Sequence, residues 1–140
     1  MSRYSTLLSF LSAVDSDFIT PISEKCNIAQ YAQKLDEYAY ICGEYSDEEM
    51  IGLVAGYTNK TENHIAYISC VAVLKEHRGK GIATRLVMEF LNKSKSCNLK
   101  GVHCYTENES AYKMYKKIGF KDYEDVRSQR ANSKQLIYWF

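Results

Sequence analysis

Two short stretches of the chain hold residue types that could do chemistry together. The first is His77-Arg-Gly-Lys-Gly-Ile-Ala83, set between the apolar run Ile65 to Val73 and an amphipathic run that begins at Ile82. A strand, a glycine-rich turn and a helix start together can cradle a pyrophosphate. The first amides of a helix lack intrahelical acceptors and sit at the positive end of its dipole. Glycines let those amides meet an anion with no Cβ in the way. The spacing therefore predicts a phosphate-bearing cofactor, and it excludes two kinds. A nucleotide P-loop needs G-x-x-x-x-G-K-[ST], which Gly79-Lys80-Gly81-Ile82-Ala83-Thr84 does not supply. A dinucleotide fingerprint needs a third glycine where Thr84 stands.

What remains is R-x-x-G-x-A, from Arg78 to Ala83. The second stretch lies downstream: Asn108-x-x-Ala111-x-x-x-Tyr115-x-x-x-Gly119-Phe120. In this order, with a helix and a strand-like run between them, the two resemble the acyl-coenzyme A loop and the segment that closes the cofactor site in the GNAT superfamily of N-acetyltransferases. The runs EEMIGLVAGY and HIAYISCVAV also resemble that family's second and third core strands. The resemblance covers Ala39 to Phe140 and is weakest at the N-terminal end.

The resemblance implies an α/β fold with α+β mixing: a twisted mixed β-sheet flanked by helices, whose splayed central strands hold acyl-CoA. It implies acetyl-CoA as donor and a primary amine as acceptor, joined by direct attack in a ternary complex. It places the pyrophosphate on the amides of Gly79, Lys80, Gly81, Ile82 and Ala83, with the Thr84 hydroxyl nearby. Arg78 would steady the loop or approach a phosphate; Arg78 and Lys80 read equally as solvated surface charge. Val71 and Val73 would pair with the pantetheine arm like an added strand, and the Val73 N–H would donate to the thioester oxygen. Tyr115 would be the general acid that protonates the departing thiolate, although four residues after Ala111 it could also simply pack. Asn108 would bond the pantetheine arm or cap a helix. Many family members place a glutamate on the strand before the glycine loop, and this strand has none. Tyr67, Ser69 and His64 are its polar residues, with His103 and Glu107 on the next strand.

Those residues need elements to position them. Leu7, Leu8, Leu11 and Val14 recur at helical spacing, and Ile28, Tyr31, Ala32 and Leu35 make a second apolar face that begins after a capping pair, Asn27 and Gln30. Phe18 to Ser23, with Pro21, reads as a connector that could fold over a site. Strands are predicted over Tyr38 to Tyr45, Glu49 to Tyr57, Ile65 to Val73, Leu99 to Thr106, Phe120 to Val126 and Gln135 to Phe140. The third is apolar almost throughout, as a strand buried on both faces would be. Ile82, Leu86, Val87, Phe90 and Leu91 give a helix its stripe. A last helix begins near Asn108, with Thr106 and Glu109 as a competing cap, and ends at Gly119. The family's usual first strand has no counterpart in this sequence.

The bulk properties fit. The 140 residues suffice for a single domain, 1–140, and 46% are hydrophobic. A net charge of +1 argues against a nucleic-acid coat. No apolar stretch approaches the ~20 residues of a membrane span. Five cysteines, odd in number and without a C-x-x-C pair, fit a reduced, cytoplasmic setting and offer no convincing nucleophile. Tyr31, Tyr57 and Tyr67 near the expected pocket suggest a small-molecule amine. Arg127, Arg130 and Lys134, in a polar loop, could hold an anionic group on it or be solvated charge. A homodimer is left open. The alternative reading is a non-catalytic acyl-CoA-binding module on the same fold.

Overall fold

The protein is seen in a computed structural model that describes residues 2–59, 63–124 and 133–140. In chain order the elements are α1 (Arg3–Val14), α2 (Ile22–Lys25), α3 (Ile28–Tyr38), β1 (Tyr40–Ser46), β2 (Glu49–Tyr57), β3 (Ile65–Val73), α4 (Ile82–Ser96), β4 (Gly101–Thr106), α5 (Glu109–Ile118), β5 (Lys121–Asp122) and β6 (Lys134–Trp139). Short polar side chains start three of the helices by accepting an otherwise orphaned amide. Ser2 accepts from the Ser5 N–H at 3.1 Å, Asn27 from Gln30 at 3.0 Å and Asn108 from Ala111 at 2.9 Å. Asn108, not the Thr106–Glu109 pair, therefore caps α5.

The six strands form one sheet in the order β1-β2-β3-β4-β6-β5. Only β3 and β4 run parallel, joined by α4 as a crossover. Each face of the sheet buries its own core. On one side α4 and α5 bring Leu86, Phe90 and Tyr115 against Val54, Ile68, Val102 and Leu136. On the other, α1 and α3 bring Leu7, Leu11 and Leu35 against Met50, Leu53 and Cys70. Full burial of a side chain such as Phe90 is worth about 1.5–3 kcal/mol.

The feature that shapes the site is a bulge. Gly56 pairs with Ile68 and Ala55 with Cys70, so Ser69 is the extra residue in β3. An extra residue bends and twists its strand. It also reverses which side chains face which layer: Ala66 and Ile68 join the α4–α5 core before it, and Val73 after it, while Cys70 joins the α1–α3 core. The parallel pairing of β3 with β4 is confined to Ile65–Gly101, Ala66–Val102 and Tyr67–His103. Beyond that rung the two strands diverge and leave a fork.

Four expectations need correction. The α3 helix runs to Tyr38, closed by the Ala39 N–H on the Leu35 carbonyl at 3.0 Å, so the first strand begins at Tyr40. The connector contains part of the short helix α2, held by Asp15, which accepts from the Ser23 N–H at 3.0 Å. The β3 strand is not buried on both faces: Ile65, Tyr67 and Ser69 are only half-buried, because helices do not cover the side that borders the fork. The β5 strand is two residues long, and the rest of the strand expected as far as Val126 is not strand at Tyr123 and Glu124 and then passes outside the described residues. Among the described residues no strand precedes α1.

Gly56 faces the bulge at close quarters. A Cβ there would lie 2.4 Å from the Tyr67 carbonyl oxygen and 2.5 Å from Phe90 Cζ. At Gly43 its nearest contacts would all be with the Tyr45 side chain, from 2.8 Å, and that side chain can swing away. Gly56→Ala should lower stability in urea unfolding by about 2–3 kcal/mol, the cost of overpacking against fixed backbone. Gly43→Ala should cost clearly less. Equal losses would contradict this reading of the bulge.

Candidate active site

The fork has two edges, a glycine turn at one tip and a tyrosine behind it. Just past β3, the Leu74 N–H donates to the Ile51 carbonyl at 2.8 Å. Antiparallel ladders alternate, so the backbone groups of Val73 and Val71 point the other way, into the fork. These are the two residues expected to pair with an extended arm.

Past Val73 the chain turns through Gly79 (φ 81°) and Gly81 (φ 78°), both in the left-handed region that favours glycine. Gly81 is the N-cap of α4 and offers no side chain to its amides. The longer helices α1, α3 and α5 each use a capping side chain, and α4 also lacks an acidic residue in its first turn. Its positive end is left for an external anion. A Cβ built on Gly79 or Gly81 meets nothing within 4 Å, so the space before these amides is open. Lys80 is exposed, while Ala83 and Thr84 are half-buried. Ile82 can offer only its amide, because its side chain is buried against Gly52.

Arg78 does not extend over the amides. Its Nε donates to the Val73 carbonyl at 3.0 Å, and its Nη2 meets Asp17 Oδ2 at 2.8 Å. Of its two expected roles, this conformation serves the first, steadying the loop. It also takes one of the two acceptor sites of the Val73 carbonyl, which leaves the Val73 N–H and the Val71 groups as the less engaged backbone groups for a ligand.

Tyr115 stands behind the fork on the α4–α5 side, 3% exposed, its ring 5.0 Å from that of Phe120. Its hydroxyl is hydrogen-bonded with Cys104 of β4 and feels Cys70 and Tyr67 of β3. Burial, reinforced by Cys104 and Cys70, pushes the phenol well above its usual range. Tyr115 therefore carries a proton throughout the neutral range and can serve as an acid but not as a base. Burial also pushes the Cys70 and Cys104 thiols up to about 12. As neutral thiols they make poor nucleophiles. Tyr112, on another face of α5, donates instead to Asp122 at 2.5 Å.

The α1–α3 side of the fork is aromatic and hydroxylic. The Tyr31 hydroxyl is 2.6 Å from Ser69 Oγ at the bulge, and burial raises its pKa above the usual tyrosine value. The Tyr57 hydroxyl is buried with no hydrogen-bond partner among the described residues. His103 contacts the rings of Tyr67, Tyr105 and Tyr123. Glu107 Oε2 accepts from the Thr20 hydroxyl at 2.7 Å. His64 lies at the opposite end of β3, exposed and at φ 61°, away from the fork. Arg127 and Arg130 lie outside the described residues; Lys134 is placed at the start of β6, 3.7 Å from Glu109. A groove of about 500 Å³ between α1 and the β1–β2 hairpin is rimmed by Glu48 and Glu49. Two carboxylates suit no diphosphate, so the fork, not this groove, is the candidate donor site.

Comparison with known proteins gives this geometry a family. The sequence profile of the "Acetyltransferase (GNAT) family" matches residues 7–120. The chain belongs to the GNAT acetyltransferase family. It is 36% identical over 113 residues to the streptothricin acetyltransferase of Escherichia coli, covering 75% of this chain and 63% of that protein. It is 48% identical over 59 residues to GCN5-related N-acetyltransferase 4, chloroplastic, of Arabidopsis thaliana, covering 41% of this chain and 20% of that protein. The chain thus spans less than two thirds of the length of these relatives. An aminoglycoside 6'-N-acetyltransferase solved in complex with coenzyme A superposes with a TM-score of 0.77 at 12% identity, covering 97% of this chain and 89% of that one. At that identity the likeness is one of fold.

In this GNAT chain the glycine turn makes a direct prediction. Gly81→Val places a branched Cβ in the open space before the amides and in a left-handed conformation that costs about 1–2 kcal/mol. Calorimetry should show coenzyme A affinity falling about tenfold or more in a variant that still unfolds cooperatively. Unchanged affinity in a folded variant would remove the turn from the donor site.

Proposed function

We propose that the protein is an N-acetyltransferase that passes the acetyl group of acetyl-CoA to a primary amine of a small molecule, by direct attack with both substrates bound. The observation that carries this reading is the fork itself. Backbone groups for an extended arm line its β3 edge, a proton-bearing tyrosine stands on one side, and an aromatic, hydroxyl-lined surface faces the other.

Acetyl-CoA supplies an activated thioester carbonyl. The amides of Gly79, Lys80, Gly81, Ile82 and Ala83, with the Thr84 hydroxyl beside them, hold the diphosphate. Val71 and the Val73 N–H pair with the pantetheine arm. The Val73 N–H also stabilises charge developing on the thioester oxygen, a role worth ~3 kcal/mol for one well-aimed donor. Asn108 keeps its Oδ1 on the Ala111 N–H and would donate from its side-chain NH₂ to the arm. Tyr115 gives its proton to the thiolate as it departs. The amine's own proton leaves on the acceptor side, to His103 or Glu107 or through a water chain. Cysteines held at about 12 do not compete as nucleophiles, which supports direct attack. Five unpaired cysteines also fit a reducing, cytoplasmic setting.

Two observations support a small polar acceptor. Streptothricin acetyltransferase, by its name, acts on a small molecule. The Tyr57 hydroxyl, without a hydrogen-bond partner among the described residues, would gain about 1–3 kcal/mol from a polar group that satisfied it.

Tyr115→Phe keeps the ring and its packing and removes only the proton. With an amine acceptor found by screening, kcat should fall by ~10²-fold or more, while calorimetry shows coenzyme A affinity little changed. A variant with normal turnover would return Tyr115 to the packing role.

A further inference from the structure

The segment between α1 and α2 is tied at three points. At its base, Asp15 accepts from the Ser23 N–H at 3.0 Å and from the Ser23 hydroxyl at 2.5 Å, closing residues 15–23 into a loop. From within that loop Asp17 reaches Arg78 at 2.8 Å, and Thr20 reaches Glu107 at 2.7 Å. The two targets belong to different arms of the fork. Arg78 opens the glycine turn beyond β3 and is itself fixed to the Val73 carbonyl. Glu107 directly follows the end of β4. The loop therefore spans the fork from one arm to the other.

We infer that Asp17 and Thr20 are positioning residues, and that the bridge they make through Arg78 couples the acyl-donor turn to the loop that borders the acceptor side. The inference rests on the donor-site reading above and adds to it a link between two binding events. An isolated exposed ion pair would carry little, since such pairs are worth about 0–1 kcal/mol. This one differs in its anchorage. Arg78 is half exposed, but its Nε is already spent on Val73, so its guanidinium has one orientation to offer Asp17. A ligand that settles the glycine turn settles Arg78, and Arg78 settles the loop. Coupling of this kind is reciprocal: a loop held in place favours the donor as the donor favours the loop. Ile19, 64% exposed, lies between the two ties.

Amide hydrogen exchange on the full chain tests this without knowledge of the acceptor. Coenzyme A is the probe, and calorimetry on the same samples records its binding. In the wild type, saturating coenzyme A should slow exchange across residues 15–23 by about fivefold or more, the lower end of typical coupling. Asp17→Asn should abolish that protection while coenzyme A still binds, and Asp17→Glu should restore part of it. Thr20→Val, which frees the other end, should weaken the protection independently. Asp36→Asn is the control: it breaks a comparable ion pair with Arg3, at 2.7 Å, that joins α1 to α3. It should leave the protection intact. Binding of coenzyme A without protection in the wild type, or protection that survives both Asp17→Asn and Thr20→Val, overturns the coupling alone. Absence of binding in the wild type overturns the donor site and the coupling with it.

Discussion

One extra residue in one strand sets the geometry on which the site depends. With Ser69 inserted, β3 bends away from β4 after the Tyr67–His103 rung, and a sheet that is otherwise continuous opens into a fork. An unbroken parallel pair would have spent the edge-facing groups of Val71 and Val73 on β4 and left nothing for a ligand. The bulge is held on both sides. Opposite it, Gly56 has no room for a Cβ, and above it the Tyr31 hydroxyl meets Ser69 Oγ at 2.6 Å. Strand geometry, helix packing and the entry to the site are thus fixed at the same place.

The chemistry follows from what the fork brings near a reacting carbonyl. Three buried titratable groups beside the fork are neutral: a phenol and two thiols held in their protonated forms. Burial penalises the charged form of each, so the site favours giving a proton over taking one. The positive end of the α4 dipole lies at one tip, where α4 begins with no capping side chain and no acidic residue in its first turn. This separates anchoring from chemistry. In the proposed function, the tip would hold the diphosphate and the arm would deliver the thioester deeper in the fork, beside Tyr115.

Much of this was legible in the sequence because it is written locally. The glycine turn, the Asn27 and Asn108 caps, the bounds of β2 and β3 and the apolar stripe of α4 each depend on residues within a few positions of one another. The family resemblance rested on two such local motifs. What stayed hidden depends on distant partners. Asp17 meets a residue 61 positions away and Thr20 one 87 positions away, so the sequence showed a connector able to fold over a site but not its ties to both arms of the fork. The bulge was equally invisible, since Ser69 in an apolar run looks the same in a regular strand. The half-open face of β3 escaped notice for a related reason: hydrophobicity reports what can be buried, not whether a helix or an opening lies opposite.

The central claim is that the donor lies along the β3 edge of the fork with its diphosphate on the α4 amides. Titration of ¹⁵N-labelled protein with coenzyme A, read as amide chemical-shift changes, tests it most directly. The account predicts the largest shifts at Val71, Val73, Gly79 to Thr84 and the Asn108 side-chain NH₂, with little change around Glu48 and Glu49 in the groove beside α1. Saturable binding that shifts the groove residues and leaves the Val73 and Gly81 amides unmoved would contradict it.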